Sequence, residues 1–241
     1  MLLTARHLSQ SYKACSTHID PGRVLIAPPG VPTPLPPPGP RDENLILAVG
    51  DIYSHKKFDI LIDAMAILAR RRPASRLEII GRPVERAHAD KLALLISELG
   101  LADHITLTGT MRHDLLLRRL SQASVLVSTS QAEAANIVPV EAMAIGTPVI
   151  LADKGFQREL AGDLGIFIPD GADLRQAYAD ALFDLLEDQP RQRMLHEAGP
   201  RWAQRFDWSE TASTIMTALR QVVQGHGQRR QTSHRVTSDR K

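Results

Sequence analysis

The chain has 241 residues, of which 43% are hydrophobic, and its formal net charge is +2. This length allows one large domain or two small ones, and the composition is that of a protein with a buried core. Residues 224–241 carry a charge of +4, so the rest of the chain carries −2. A positive charge confined to a tail does not indicate a nucleic-acid-binding protein.

Cys15 is the one cysteine in the sequence, which excludes an internal disulfide and a multi-cysteine metal site. This usage fits a reducing compartment. We therefore expect a cytoplasmic location, with a peripheral position at the inner membrane face as the alternative. No apolar run reaches the roughly 18 residues that span a bilayer, and the N-terminus does not have the pattern of a signal peptide.

The first predicted elements are a helical fragment over residues 1–14 and a short strand over residues 23–31. Residues 32–44 follow and contain six of the sixteen prolines. Because proline fixes φ and removes a backbone donor, we expect this segment to be an extended linker.

Residues 45–171 alternate between short apolar runs and longer segments with helical spacing. The predicted strands are 45–49, 76–80, 105–108, 124–128, 148–151 and 165–168, and the clearest helices between them are 58–71 and 85–100. Strands that alternate with helices predict an α/β fold with one doubly wound, parallel, Rossmann-like sheet. The near-continuous apolar strands support this prediction, because parallel strands are buried on both faces.

Three further helices are predicted over residues 174–187, 190–205 and 209–223, followed by a polar and basic tail at 224–241. The tail has no periodicity, so we expect it to be disordered. A doubly wound sheet binds ligands at the carboxyl ends of its strands. Functional residues are therefore expected in the loops that follow the strands.

The loop after the first strand of this sheet reads AVGDIYSHKKFD. Gly50 permits a tight turn there, and Lys56 and Lys57 precede a helix. A lysine beside the free N–H groups of a helix N-terminus suits an anion such as a diphosphate. A solvated basic helix start is the alternative that the residues leave open. Neither G-x-G-x-x-G nor G-K-[ST] occurs in the sequence, which disfavours a nicotinamide oxidoreductase.

The stretch EAANIVPVEAMAIG, residues 133–146, predicts a short helix over residues 139–145. Pro139 suits the first helical position, and Gly146 suits the left-handed residue that ends the helix. Val138 would be its N-cap and has no side-chain oxygen, so the first backbone N–H groups need water or a ligand.

Glu141 then lies in the first turn of this helix, and Glu133 lies in the loop before it. Both carboxylates are on the ligand side of the sheet, where they can accept hydrogen bonds from sugar hydroxyls. A first-turn acid that only stabilises the helix dipole is the alternative interpretation of Glu141. His113 is expected at the surface without a functional role.

These stretches together resemble the retaining glycosyltransferases of the large family 4, which have two Rossmann domains in the GT-B arrangement. The main motif is E-x7-E, from Glu133 to Glu141, followed by AMAIGTPV. The segments ILAVGDIYSHKKFDILIDAM, LGLADHITLTGTM, LLRRLSQASVLVSTS, LAGDLGIFIPDG and RFDWSETA occur in family order and spacing. The resemblance covers residues 23–223 and corresponds to the C-terminal, donor-binding half of the GT-B fold.

The resemblance implies a division of the chain and a missing second half. A full enzyme has another Rossmann domain, which binds the acceptor. The implied segments are a remnant of that domain (1–31), the linker (32–44), the sugar-nucleotide-binding domain (45–206), a crossover helix (207–223) and the tail (224–241).

The resemblance also assigns residue roles. Glu133 would be the catalytic carboxylate at the donor sugar, Glu141 would hold the ribose hydroxyls, and Lys56 would neutralise the diphosphate. The other expected donor-binding residues are Gly50, Lys57, Asn136, Ile137 and Val138.

The implied reaction is transfer of a sugar from a nucleotide-sugar to an acceptor with retention, in polysaccharide or glycoconjugate synthesis. No metal or other cofactor is expected, because a lysine, an arginine and a helix dipole stabilise the leaving diphosphate. The expected partners are the nucleotide-sugar and a separate acceptor-binding Rossmann half, and nucleic acid is not among them.

The sequence departs from the family pattern at two places in the site. Asp51 stands where an arginine or another phosphate- or sugar-binding residue is usual, although Lys57 can compensate. Ala134, Ala135 and Asn136 stand where Gly-Phe-Gly is common. With the short chain, these departures support a second hypothesis, a non-catalytic or truncated nucleotide-sugar-binding module that needs a partner half. A nucleotide-sugar epimerase shares the architecture but would also need both halves.

Overall fold

The computed structural model describes residues 2–3, 24–37, 39–133, 136–171 and 173–236, with side-chain detail over the parts of 24–223 in these ranges. The chain divides into two compact units. The larger unit is residues 31–205, and the smaller one combines residues 1–30 with residues 206–241.

Eight strands follow one another along the described chain. They are β1 (Leu2–Leu3), β2 (Leu25–Ile26), β3 (Asp42–Val49), β4 (Arg76–Ile80), β5 (Ile105–Gly109), β6 (Ala123–Ser128), β7 (Val149–Ala152) and β8 (Ile166–Ile168). The last six form one parallel sheet in the order β5-β4-β3-β6-β7-β8. Its two halves run outward from the central pair β3 and β6, which confirms the predicted doubly wound, Rossmann-like sheet.

Helices connect these strands and follow the last of them. They are α1 (Phe58–Arg71), α2 (Arg86–Glu98), α3 (His113–Gln122), α4 (Val138–Ala144), α5 (Gly155–Ala161), α6 (Leu174–Glu187), α7 (Gln189–Ala203) and α8 (Trp208–Val236). Short 3-10 turns occur at Ser54–Lys56 and Gly162–Leu164.

The sheet is covered on both faces, and β3 shows how the sequence produces this. Ile46 and Ala48 belong to the apolar cluster that includes residues of α1, α2 and α6. Leu45 and Leu47 belong to the cluster on the other side, with residues of α3 and α4. Successive side chains of a strand point to opposite faces, so four consecutive apolar residues suit a strand buried on both sides.

The proline-rich segment differs in part from the predicted linker. None of its described residues before Asp42 is in a helix or a strand, but β3 starts at Asp42 rather than at residue 45. Leu35 packs against the cluster of α3 and α4. Partial burial of this apolar side chain holds the segment against that cluster.

The beginning of the chain is extended where a helix was predicted. Leu2 and Leu3 pair in parallel with Leu25 and Ile26, because pairing with a distant segment can outweigh local helix propensity. Residues 4–23 lie outside the described part of the chain, so the rest of the predicted helical fragment stays untested.

The prediction of disorder from residue 224 is wrong for residues 224–236. The last helix, α8, continues from Trp208 to Val236. Extending a helix is far easier than nucleating one, and residues 224–236 contain no proline to stop it. Residues 237–241 lie outside the described part of the chain.

Within the smaller unit, the start of α8 lies against the segment that follows β2. The Thr211 hydroxyl donates to the Pro28 carbonyl at 2.6 Å. A Cβ on Gly30 would lie 2.3 Å from the backbone nitrogen of Trp208, so only glycine allows this approach. No helix in the described ranges is long and apolar enough to cross a bilayer.

Arg41 joins three segments at the amino end of the central strands. Its guanidinium donates to the Ala123 carbonyl, the Ile145 carbonyl and the Thr147 hydroxyl, each at 3.0 Å. His196 of α7 is half-buried nearby, and its Nε2 has no hydrogen-bond partner among the described residues. Burial, with a smaller contribution from the charge of Arg41, lowers the pKa of His196 to about 4.

We predict that His196 makes the protein less stable in acid. Its ordinary pKa is 6.5, so between pH 6.5 and about 4 the unfolded chain binds a proton that the folded protein does not. The free energy of unfolding should therefore fall as the pH decreases through this window. Urea unfolding of His196→Gln should depend less on pH than that of the wild type. Equal pH dependence of wild type and His196→Gln would contradict this account.

Candidate functional site

The candidate site lies where the chain leaves β3 and β6. These strands are adjacent and parallel, with Leu47 opposite Leu126, so the loops that follow them meet at one edge of the sheet. Two hydrogen bonds join the loops directly. The Thr129 hydroxyl donates to the Lys56 carbonyl at 2.6 Å, and the Gln131 backbone N–H donates to the His55 carbonyl at 3.1 Å.

Two glycines let the loop after β3 pass close to the neighbouring strand. Gly50 has φ 153° and donates its N–H to the Ile80 carbonyl at 2.9 Å. A Cβ on Gly81 would lie 1.9 Å from the Gly50 carbonyl oxygen, and a Cβ on Gly50 would lie 3.2 Å from Lys56 Nζ. Glycine at position 81 therefore lets the turn pass close to the end of β4, and glycine at position 50 leaves room for the Lys56 side chain over the turn.

Lys56 and Glu133 form a salt bridge across the two loops. Their side chains are only 13% and 11% exposed. Burial of either charge is unfavourable without a partner, so each stabilises the other at this edge. The structure thus brings together the lysine expected at the diphosphate and the carboxylate expected at the donor sugar.

Lys57 has a backbone role next to this pair. It adopts the left-handed conformation, with φ 54° and ψ 38°, between the 3-10 turn and α1. Its N–H donates to the Ser54 carbonyl, and its carbonyl accepts from Ile60 N–H. Lys57 therefore shapes the bend between turn and helix, and its expected contact with a ligand stays a prediction.

The short helix α4 begins and ends one residue earlier than predicted, at Val138 and Ala144. Its N-cap is Ile137, which makes no side-chain capping bond, and Pro139 lies in the first turn. Gly146 follows the helix with φ 83°, as predicted for the residue that ends it. A Cβ there would lie 2.8 Å from the His196 carbonyl oxygen, so glycine is also needed for packing.

Glu141 lies in the first turn of α4 with its side chain only 4% exposed. Its Oε1 accepts a hydrogen bond from Nε2 of His113 at 2.8 Å. The side chain of His113 is 54% exposed, in agreement with its predicted position at the surface. Its pairing with Glu141 was not predicted. The sequence feature that could have predicted this pairing is the position of His113, which is the first residue of a helix that starts at the carboxyl edge of the sheet.

Asn136, Ile137 and Val138 lead into α4. Asn136 is buried, and the other two are half-buried. The Ile137 carbonyl accepts from Glu141 N–H at 3.0 Å, which fixes the first turn. Ala134 and Ala135 lie outside the described residues, so the effect of the missing Gly-Phe-Gly stays untested.

Asp51 has an arginine partner that sequence reasoning missed. Arg82, in the loop after β4, binds its carboxylate through Nε at 3.2 Å and Nη2 at 2.6 Å. The hydrogen bond from the Arg82 side chain is the main reason that the pKa of Asp51 is lowered. The acid in the loop after β3 is therefore ionised, and a neighbouring positive charge offsets it. Arg82 could have been predicted only from the adjacency of β3 and β4.

The described residues contain no group of three or more His, Cys, Asp or Glu side chains that could hold a metal ion. The site is instead built from pairs, Lys56 with Glu133, His113 with Glu141 and Arg82 with Asp51. The expectation that the chemistry needs no metal stays a prediction.

Comparison with known proteins gives consistent relatives. The D-inositol 3-phosphate glycosyltransferase of Kineococcus radiotolerans is 32% identical over 233 residues, which cover 85% of this chain and 53% of the relative. The enzyme of the same name from Thermomonospora curvata is 33% identical over 238 residues, covering 88% of this chain and 53% of the relative. The chain spans about half the length of the curated relatives it matches.

Solved structures agree on the fold. Sucrose-phosphate synthase from Thermosynechococcus elongatus has a TM-score of 0.81 and 25% identity, covering 93% of this chain and 58% of that one. HepE from Anabaena, in complex with UDP and glucose, has a TM-score of 0.81 and 21% identity, covering 91% of this chain and 62% of that one.

The family comparison covers most of the larger unit. Residues 36–202 match the family described as glycosyl transferases group 1. With its six-stranded parallel sheet and these structural neighbours, the chain belongs to the glycosyl transferases group 1 family and has the Rossmann-like fold of a GT-B glycosyltransferase domain.

Proposed function

We propose that the larger unit binds a nucleotide-sugar where the loops after β3 and β6 meet. It would be the donor-binding part of a glycosyltransferase that transfers the sugar with retention. The observation that carries this proposal is the pairing of Lys56 with Glu133, which are 77 residues apart in the chain. The pair lies beyond the carboxyl ends of the two central strands, β3 and β6. Ligands of doubly wound sheets bind at this kind of position.

The charges suit a diphosphate. An ammonium has three N–H donors, so Lys56 can keep Glu133 and still contact a phosphate oxygen. Ile137 makes no side-chain capping bond, and the N–H groups of Val140 and Glu141 donate to its carbonyl. Because Pro139 has no N–H, the donor that the start of α4 can add is the backbone N–H of Val138. Arg82 offsets Asp51, which would otherwise repel the ligand.

The two carboxylates suit the hydroxyl groups of the donor. Glu141 would accept from the ribose, and Glu133, as the catalytic carboxylate, would accept from the sugar. Lys56 and the α4 N-terminus would stabilise the charge that develops on the leaving diphosphate, with no metal required. Gly50, Asn136, Ile137 and Val138 would line the site through close backbone approach.

Binding of the acceptor requires a second part of the enzyme. Positioning of both substrates contributes much of the rate in group transfer, and the relatives named above are about twice as long as the region matched. We therefore propose that a second Rossmann half supplies the acceptor site. The exposed apolar residues of α8, among them Met216, Leu219 and Val223, fit a surface that a partner covers.

The wider setting is also a proposal. The activity would serve polysaccharide or glycoconjugate synthesis, in the cytoplasm or at the inner membrane face. Family membership favours an enzyme over the non-catalytic binding module, and the ion pair with Arg82 removes one reason for that alternative, the acid at Asp51.

Isothermal titration of the chain with UDP-, GDP- and ADP-sugars tests the proposal. One of them should bind at millimolar concentration or below, and Glu141→Ala should weaken that binding by about 1–3 kcal/mol if it holds ribose hydroxyls. Glu197→Ala, at an exposed glutamate of α7, is the matched control and should leave the affinity unchanged. No binding of any nucleotide-sugar at millimolar concentration would contradict the proposal.

The role of Arg82 gives a second prediction. Arg82→Ala leaves the charge of Asp51 unopposed beside the turn that holds Lys56, so nucleotide-sugar affinity should fall, and the loss should shrink at high salt. The double variant Asp51→Asn with Arg82→Ala removes both charges and should regain affinity. An affinity that stays low in the double variant would show that Arg82 itself contacts the ligand.

A further inference from the structure

His113 and Glu141 form a pair between two helices that start at the carboxyl edge of the sheet. Nε2 of His113 lies 2.8 Å from Oε1 of Glu141. The carboxylate side chain is 4% exposed and the imidazole 54% exposed, so the histidine lies on the solvent side of a buried acid.

The backbones that carry the pair are held by packing. Leu116, Leu117 and Leu120 of α3 belong to the same apolar cluster as Ala142 and Met143 of α4. Close-packed interiors resist displacement, so the separation of the two helix starts is set by this cluster.

The hydrogen bond from His113 satisfies one oxygen of the buried Glu141 carboxylate. A buried carboxylate is costly unless donors satisfy its oxygens, and the Nε2–H of His113 is such a donor. This donation requires the imidazole proton on Nε2. The bond uses one acceptor position of Oε1, and a carboxylate has about four such positions, so capacity for hydroxyl groups remains.

We propose that His113 is a positioning residue, which holds the Glu141 carboxylate in the orientation that accepts the ribose hydroxyls of the nucleotide. This inference rests on the proposed function of the same site. A glutamate side chain has several rotatable bonds, and fixing its end before the ligand arrives lowers the entropy lost on binding. His113 acts through Glu141 and does not need to contact the ligand.

Variants of His113 in two backgrounds test this inference. His113→Phe keeps a ring without a donor, His113→Leu is a second donor-free variant, and His113→Gln retains an N–H at a similar reach. Affinities for UDP, GDP and ADP are measured by titration, in the otherwise wild-type chain and in the Glu141→Ala chain. Circular dichroism checks that each variant is folded. We expect the variants to fold, because the His113 side chain is exposed.

The expected result is specific to a positioning role. For the nucleotide that the wild type binds, the two donor-free variants should bind about tenfold more weakly, and His113→Gln should recover most of the loss. In the Glu141→Ala chain, His113→Phe should cause no further loss, because the residue through which it acts is gone.

Other outcomes would overturn the inference. Equal losses in both backgrounds would show that His113 acts independently of Glu141, and tighter binding by His113→Phe would show that the imidazole competes with the ligand. Unchanged affinity in the donor-free variants would remove the role altogether while leaving the proposed function intact. If the wild type binds no nucleotide, the proposed function fails first and this inference fails with it.

Discussion

The parallel pairing of β3 with β6 decides which side chains meet at the candidate site. It joins strands that are far apart in the sequence and makes the loops after them neighbours. Lys56 can therefore meet Glu133, and the hydroxyl of Thr129 can bind the Lys56 carbonyl. The apolar side chains on both faces of β3 keep this strand in the interior, between the two layers of helices.

The sequence predicted most of the fold because the signals are local. Apolar strands alternate with helical segments, and Pro139 and Gly146 delimit α4 to within one residue. Two predictions failed within the described residues, at Leu2 and Leu3, where tertiary pairing decided the conformation, and at residues 224–236, where helix propagation did. The pattern of apolar residues within a segment reveals neither of these effects.

For the site, the sequence indicated which loops and carboxylates to consider but not how they are paired. Glu141 and Lys56 could be singled out from helix position and charge. Their partners come from other loops, so His113 and Arg82 were missed. Predicting such partners requires the strand order, since adjacency at the edge of the sheet decides which side chains meet. The departure at Asp51 is likewise explained only by β4 lying next to β3.

A crystal structure of the chain with a bound nucleoside diphosphate would test whether this edge of the sheet receives a nucleotide-sugar. We expect phosphate oxygens within hydrogen-bond distance of Lys56 Nζ and of the Val138 N–H at the start of α4. We also expect ribose hydroxyls on the Glu141 carboxylate. A diphosphate bound elsewhere, with Lys56 and Glu141 making no contact to it, would contradict the account.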